Sequence, residues 1–514
     1  MNSHLLKLSL TAVAATLAFA APALALGPQP VRNLDLQLIG SSPGTGEATA
    51  EISAYDPISE RLFTTDAVGN QIKVFDMSTP SSPTLAFTIP LGAYGAAPNS
   101  VSVSPVCGGR IVVAEEAGPK TSPGKLVLFD TNGVYLDQET TGAQPDNVVT
   151  AIGGRRFVSA NEGEPSPDGL INPDGTIGIA TLTRCGNITH QLVSFAGAPT
   201  SGTIRHYSPG ATFLQDLEPE YIAPAHGQTA LVTLQEANAV ATLNIATATV
   251  TSIKGIGFKN HSLPGNGLDP SDRDSAVNGG INIATYNNVF GIYEPDAIAS
   301  YRLPGDPHAR FITANEGDTR DWTYYSEESR VKDLVLDPTA FSAADQADAK
   351  LGRLTVTTTL GDTDSDGDYD ELYAIGGRGV SLLDHTGGLT WDSGDAVEQY
   401  VAANDPANWN ANGAIGGLDS RSDNKGPEIE GITTGKVFGR TYAFAGAERQ
   451  GGIFAFDLRA RPGQAKIAGY VNARASATSP EGIIFVSASN SPSGDPLVIT
   501  TNEVSGNVAV FRIS

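Results

Sequence analysis

Cysteine is nearly absent, with two residues in a chain of 514, at positions 107 and 185. No Cys-x-x-Cys pair exists, and His190, His206, His226, His261, His308 and His385 are scattered, none with a second His at ligand spacing. Zinc and iron sites are therefore not expected. Basic residues are also scarce: 32 Lys and Arg face 56 Asp and Glu, a formal charge of −24. Nucleic acid is excluded as a partner, because binding it takes clustered Lys and Arg, and anionic membrane surfaces are disfavoured for the same reason. The chain lacks a Gly-rich phosphate loop, a Gly-x-Ser-x-Gly elbow and a His-Glu-x-x-His helix. Neither a nucleotide nor a haem cofactor is expected, and no Ser, Cys or Thr is nominated as a nucleophile. Past residue 25 there is no second long apolar run, so no membrane span is expected.

Glycine and proline are plentiful instead, at 57 and 32, and 40% of residues are hydrophobic. Such a chain folds, turns often and buries a large core. Residues 1–25 read as a signal peptide. Lys7 gives the positive end, Leu8 to Ala20 the apolar core, and Ala23-Leu24-Ala25 the small-x-small cleavage pattern. The apolar stretch is short and followed by Pro22, whereas a span takes roughly 20 apolar residues. The mature chain, 26–514, is thus expected to be secreted or periplasmic. Export leaves two states open for Cys107 and Cys185: one disulfide, or two separate buried thiols.

The strongest signal is a repeated phrase in three parts. Pro followed by Asp, Glu or Asn opens an apolar run at Pro98-Asn99, Pro145-Asp146, Pro219-Glu220, Pro295-Asp296 and Pro480-Glu481, with Glu430-Gly431-Ile432 as a variant. A strand-like run then ends on an acid at Glu116, Glu162, Glu236, Glu316, Glu448 and Glu503, and more loosely at Asp66. A third run closes on Asp76, Asp130, Asp384 or Asp457. Counting Glu371–Gly377, the second run has eight copies, spaced about 45 to 80 residues apart. Short strands in units of this period predict an all-β fold: a single β-propeller of seven or eight blades, probed by inserted loops. One short helix is expected over 340–351, where Ser342 and Asp345 form a capping box before an Ala-rich stretch. The segment 34–39 has no strand partner of its own and is free to complete the last blade.

Several long phrases are similar to one family. They include ANEGEPSPDG (160–169), HSLPGNGLDPSDRD (261–274), EPDAIASY (294–301), ANEGDTRDW (314–322), GDTDSDGDYDELYAIGGR (361–378), SRSDNKGPEIEGI (420–432) and SPEGIIF (479–485). Nearly the whole mature chain resembles the choice-of-anchor I domain proteins, also described as similar to mesenchyme-specific cell surface glycoproteins. The resemblance implies a secreted or surface-attached propeller. It fixes no reaction, although some members carry alkaline-phosphatase-type names. Relatives vary in their C-terminal anchors; here the sequence stops after a last strand, and no C-terminal anchor is expected.

In a four-stranded antiparallel blade the first strand begins, and the second ends, on one face of the disc. That places Asp146, Glu220, Asp296, Glu430 and Glu481 around one channel mouth, with Glu116, Glu162, Glu236, Glu316, Glu448 and Glu503 beside them. Two like charges 4 Å apart repel by about 4 kcal/mol at an effective dielectric near 20. The ring must be relieved by protons, by hydrogen bonds, by cations such as Arg320, Arg378, Arg421, Lys425 and Arg449, or by bound calcium. At any one position the alternative is structural, a carboxylate or amide accepting turn N–H groups. A separate calcium loop is expected at Asp362, Asp364, Asp366, Asp368 and Asp370, where alternating Asp and Gly367 match the opening of an EF-hand, though Tyr373 replaces its closing Glu.

Two functions from different classes follow. One is an exported, calcium-binding, non-catalytic module that recognises a surface polymer, a protein or a matrix component as a monomer. The alternative is a calcium-dependent phosphoester hydrolase of alkaline-phosphatase or phytase type, acting on a phosphorylated small molecule through several metals at the mouth.

Overall fold

The computed structural model describes residues 30–514 apart from 226–227, 276–279, 414–416 and 462. The leader read over residues 1–25 lies outside the described residues. Short runs rich in Val, Ile, Phe and Thr, punctuated by Gly, Asn and Asp, form strands that pair with their sequence neighbours into seven antiparallel sheets. The innermost strands of these sheets are Ser53–Asp56, Ala97–Ser104, Pro145–Ala151, Pro219–Pro224, Ile298–Tyr301, Ile429–Val437 and Pro480–Val486. Each lies beside the next, and the seventh lies beside the first. The architecture is all-β and propeller-like.

Most sheets are built from consecutive strands. The seventh is completed from the other end of the chain: Leu36–Ser41 pairs antiparallel with Asn507–Ile513, Leu36 facing Ile513 and Ser41 facing Ala509. Apolar side chains fill the spaces between sheets. Val158, Ile177, Phe195, Val232 and Ile253 pack the third against the fourth with at most 5% exposure each. Between the sixth and seventh, Phe444 stacks on Phe485 at 5.7 Å, and Phe485 lies flat on Gly435, where a Cβ would come within 2.3 Å of the ring. Burying five such side chains is worth roughly 1.5–3 kcal/mol each, so inter-sheet packing is the main source of cohesion.

The fifth sheet is interrupted. Between its second strand, Arg310–Asn315, and its third, Gly379–Leu383, the chain leaves to form Glu328–Arg330, Thr355–Thr357 and Leu372–Ala374, which join Phe258–Asn260 and Val289–Ile292, from before the fifth sheet, in an extra five-stranded sheet. The stretch Glu371–Gly377, read as a copy of the second run, belongs here: Leu372–Ala374 pairs parallel with Val289–Gly291.

The helix expected over 340–351 does not form. Ser342 N and Oγ do donate to Asp345 Oδ2, at 2.8 and 2.6 Å, but the chain turns instead of continuing. Among the described residues the one α-helix is Ala396–Asn404. Its sequence offers only Val397 and Val401 as an apolar pair, both fully buried beside the sixth sheet. Tertiary packing decides such a short helix, since isolated helices under about 12 residues are marginal. No helix among the described residues is long and apolar enough to cross a membrane.

Candidate functional site

The opening phrase of each repeat has a structural explanation. In the third sheet the pairing register skips from Pro145 to Asn147, and in the second from Pro98 to Ser100. In the fourth, sixth and seventh it skips from Pro219 to Ile222, Ile429 to Ile432, and Pro480 to Ile483. These are β-bulges, and the skipped residues are Asn99, Asp146, Glu220 with Tyr221, Glu430 with Gly431, and Glu481 with Gly482. A bulged residue leaves the ladder and its side chain is re-aimed, here towards the channel. The residue before four of these five bulges turns left-handed: Gln144, Glu218, Glu428 and Ser479 have φ of 46°, 39°, 51° and 59°, and Glu294, before Pro295-Asp296, has 43°. Non-glycine residues held this way cost of order 1–3 kcal/mol and cluster at functional sites. Gly431 and Gly482 follow the sixth and seventh bulged acids; a Cβ there would lie 2.1 and 2.3 Å from the Glu481 and Glu51 carbonyl oxygens of the neighbouring sheet.

The strand-ending Asn-Glu pairs divide their work. Asn161, Asn315 and Asn502 are fully buried, and each accepts from a hydroxyl two residues earlier: Ser159 at 3.0 Å, Thr313 at 2.8 Å and Thr500 at 3.1 Å. The Asn is thus the structural member. The following Glu lines the mouth at Glu162 and Glu316.

There, Asp146, Glu162, Glu164, Glu220, Glu236, Asp296, Glu316, Asp318, Glu430 and Glu481 line one cavity of about 270 Å³, together with Ile52, Asn99, Tyr221, Gln235 and Thr319. Two trios converge within it. In Asp146, Glu162 and Glu220, and again in Asp296, Glu316 and Glu430, one oxygen from each residue lies within 4.8 Å of the other two. Both trios follow one rule: the inner acid of a sheet (bulged at Asp146, just before the strand at Asp296), its strand-ending acid, and the bulged acid of the next sheet. Glu116, Glu448 and Glu503 do not line the cavity, although their charges are felt by Asp146, Glu430 and Glu481.

Burial and mutual repulsion push these groups up. Burial is the larger cause throughout, followed by neighbouring carboxylates; Asp146 rises to about 7, while Glu162, Glu220, Asp296, Glu430 and Glu481 go well above the carboxylate range. Glu236 reaches about 7 and Glu448 about 8, in both cases through burial that a nearby Arg only partly offsets. Glu236 is 5% exposed and its Oε2 has no hydrogen-bond partner. For Glu164 burial also opposes ionisation, but Lys120, Gln144 and Trp322 together hold it below the usual range.

Of the five basic residues expected near the mouth, Lys425 reaches the lining carboxylates, 3.0 Å from Glu316 and 3.5 Å from Asp318. Arg449 reaches Glu448 at 3.0 Å. Arg320, Arg378 and Arg421 pair instead with Glu218, Glu398 and Glu428, which do not line the cavity, at 2.9, 3.1 and 2.5 Å. Sequence reasoning missed Glu51, Glu164 and Asp318. Glu51 sits where the first sheet should carry its bulged acid, but Ala50 replaces the Pro; burial and the charges of Glu503 and Asp146 push it to about 7. Glu164 and Asp318 each stand two residues after a strand-ending Glu, a shared pattern visible in ANEGE and ANEGD.

The Asp-rich loop lies apart, on the surface. Asp362, Asp364 and Asp370 come together with oxygens within 4.8 Å of one another; Asp366 and Asp368 stay outside that group. The loop is held by its own amides: Thr363 N donates to Asp370 at 2.8 Å, and Asp366 N and Gly367 N donate to Asp362 at 3.2 Å each. Gly367 takes the turn at φ 101°. Cys107 and Cys185 form a disulfide with Cα atoms 5.5 Å apart. Two of the scattered histidines, His308 and His385, stack at 4.1 Å beside a separate surface pocket.

A family model described as the choice-of-anchor I domain matches residues 51–461. Gigasin-3a of Magallana gigas is 31% identical over 189 residues, which are 33% of this chain and 66% of that protein. The mesenchyme-specific cell surface glycoprotein of Strongylocentrotus purpuratus is 29% identical over 222 residues, 36% of this chain and 28% of that protein. The chain therefore spans less than two thirds of either relative. Among solved structures, Kuenenia stuttgartiensis hydrazine synthase superposes with a TM-score of 0.47 at 12% identity, covering 92% of this chain and 98% of that one.

Proposed function

Since the chain belongs to the choice-of-anchor I family, we propose that it is an exported, surface-associated and non-catalytic binding module whose acid-lined mouth takes up calcium. In this reading the domain is a seven-bladed propeller spanning 26–514. Seven sheets with innermost strands in cyclic order support it, as does the N-terminal strand that completes the seventh. The cell surface glycoprotein among the relatives supports the extracellular placement.

The observation that carries the reading is the convergence of two carboxylate trios in one cavity. Calcium accepts six to eight oxygens at forgiving geometry, and carboxylates supply them. A bare mouth repels anions; a calcium-loaded one presents open coordination positions to hydroxyl, carboxylate or phosphate oxygens of a surface polymer or protein. The exposed Asp362–Asp370 loop is a second, weaker calcium position in the same reading. Calorimetric titration of the chelator-stripped mature chain tests this: calcium uptake whose tighter part is lost in Asp146→Asn plus Asp296→Asn is expected, and absence of any uptake at millimolar calcium would sink it.

A second reading stands on the same two trios. Two cations facing one cavity are the arrangement that clamps a phosphoryl group and activates water, so a calcium-dependent phosphoester hydrolase is the alternative. Calcium-restored turnover of a generic phosphomonoester or phosphodiester would favour it over the binding module, and turnover no higher than the blank removes it.

A further inference from the structure

The two trios obey one construction rule but differ in what surrounds them. Lys425 is 15% exposed, and its Nζ lies 3.0 Å from Glu316, 3.5 Å from Asp318 and 3.7 Å from Glu428. Glu316 is shared: it belongs to the Asp296–Glu316–Glu430 trio and to a neighbouring one with Glu428 and Glu448. Arg421 and Arg449 hold that neighbour from outside, at 2.5 and 3.6 Å from Glu428. Three cationic side chains therefore crowd this side of the mouth.

Across the mouth no cation pairs with a member of the first trio itself, although Arg320 pairs with Glu218 beside it. Asp146 and Glu220 have no hydrogen-bond or ion-pair partner among the described residues. Glu162 accepts one bond, from the neutral amide of Gln144. Lys120, the nearest ammonium, pairs with Glu164, outside the trio. The left-handed residue is Gln144 before the third sheet's inner acid and Glu294 before the fifth's; before the next sheet's bulge it is Glu218, paired with Arg320, and Glu428, paired with Arg421 and 3.7 Å from Lys425, so the asymmetry between the trios lies in Lys425. A separate observation points to a missing ligand at the mouth: Glu236, 5% exposed and lining the cavity, acts on Glu220 and leaves its Oε2 without a partner, and Glu430 Oε2 in the second trio is unpartnered too. An unpartnered buried carboxylate oxygen costs more than a kcal/mol-scale hydrogen bond returns, and a divalent cation shared with Glu220 removes that cost.

We infer that Asp146, Glu162 and Glu220 form the open divalent-cation site of this protein, and that the Lys425 ammonium, paired with Glu316, competes with a cation for the Asp296–Glu316–Glu430 trio. The inference deepens the proposed function and rests on it. Calcium, which suits hard oxygen ligands, enters the first trio, with Glu236 and water completing its shell. At the second trio it must first displace an internal cation. The mouth thus binds one calcium tightly, and Lys425 sets that number.

Calcium titration of the chelator-stripped mature chain decides it, in an Asp364→Ala background that removes the surface loop. One tight equivalent is expected. Glu220→Gln should weaken it by about 10–100-fold, the range for disturbing a metal's ligand set, whereas Glu430→Gln leaves it in place. Lys425→Met should add a second equivalent, and Lys425→Arg should not. A single equivalent in Lys425→Met, or equal weakening by Glu220→Gln and Glu430→Gln, overturns the inference. If Lys425→Met fails to fold, Glu162→Gln against Glu316→Gln decides in the same way. Absence of calcium binding in the parent protein is a different outcome, and it removes the proposed function itself.

Discussion

Arg320 Nη2 lies 2.9 Å from Glu218 Oε2, and neither side chain has any contact with solvent. Arg320 belongs to the long insertion of the fifth sheet, whereas Glu218 is the left-handed residue before the fourth sheet's bulge. Asp216 adds a second contact at 3.0 Å, and the guanidinium lies 4.8 Å from the centre of the Tyr207 ring, which Arg205 also covers at 4.3 Å. The insertion is therefore keyed to the mouth through buried charge.

Breaking a buried ion pair by removing one partner leaves an uncompensated charge and costs about 3–5 kcal/mol. Arg320→Met should destabilise the chain by that amount in denaturant titration. Adding Glu218→Gln should recover part of the loss, because the orphaned carboxylate goes with it. Simple additivity of the two substitutions would show that the contact carries no coupling.

A second expectation concerns pH. Glu115 is fully buried with both carboxylate oxygens unpartnered; burial pushes it to about 8, with Lys125 opposing. Its folded value lies above its unfolded value, so the protonated form favours the folded state. The stability it confers is complete below about pH 4 and is lost as pH rises through about 8. Glu115→Gln removes that dependence and should be more stable than wild type at about pH 8.5 by about 1–3 kcal/mol. A wild-type stability that rises from pH 5 to 8 in chelator, unchanged by Glu115→Gln, would contradict this.

Calcium should act with the opposite slope. Asp146 and Glu236 are raised to about 7, by burial first and neighbouring carboxylates second, so without metal their ionisation destabilises the fold above neutrality. Calcium binds the ionised form. Its stabilisation of the fold, read through the shift in melting temperature, should grow from pH 6 to 8 and reach about 2.7 kcal/mol at a hundredfold excess over Kd. A shift that is constant across this range would place the ion elsewhere.

The disulfide offers a test away from the mouth. Cys107 and Cys185 close a loop with a sequence separation of 78, tying the second sheet to the third. Replacing both with Ser should cost about 2–5 kcal/mol. Calcium affinity should stay the same, because neither residue touches the cavity.

Much of this architecture was written in the repeat. Pro followed by an acid marked the bulges at Asp146, Glu220 and Glu481 because proline cannot donate to a ladder and an acid is tolerated where the ladder breaks. Glu162, Glu236 and Glu316 could be placed because strands of one length bring their ends to one face. Glu51 escaped notice for lack of the Pro, although its bulge-like position is set by the seventh sheet packing against it. The pairing of Glu218, Glu294 and Glu428 with Arg320, Arg205 and Arg421 was hidden for a different reason. Those arginines arrive from loops whose path depends on tertiary packing, and no periodicity reports it. The same limit applies to the helix at 396–404, which two buried valines settle and no local pattern announces.

The pairing of Leu36–Ser41 with Asn507–Ile513 has a mechanical consequence. Leu36 faces Ile513 at one edge, and Ser514 N and Asp35 N exchange bonds just beyond them, so both chain ends leave from the same end of the pair. A pull applied between the termini loads these hydrogen bonds one after another, as in a zipper, and not all together, as in shear. The seventh sheet would open at low force. A domain that must bear tension at a surface would do better held by one terminus, with the load entering at the mouth, where it is spread over inter-sheet contacts around the whole molecule.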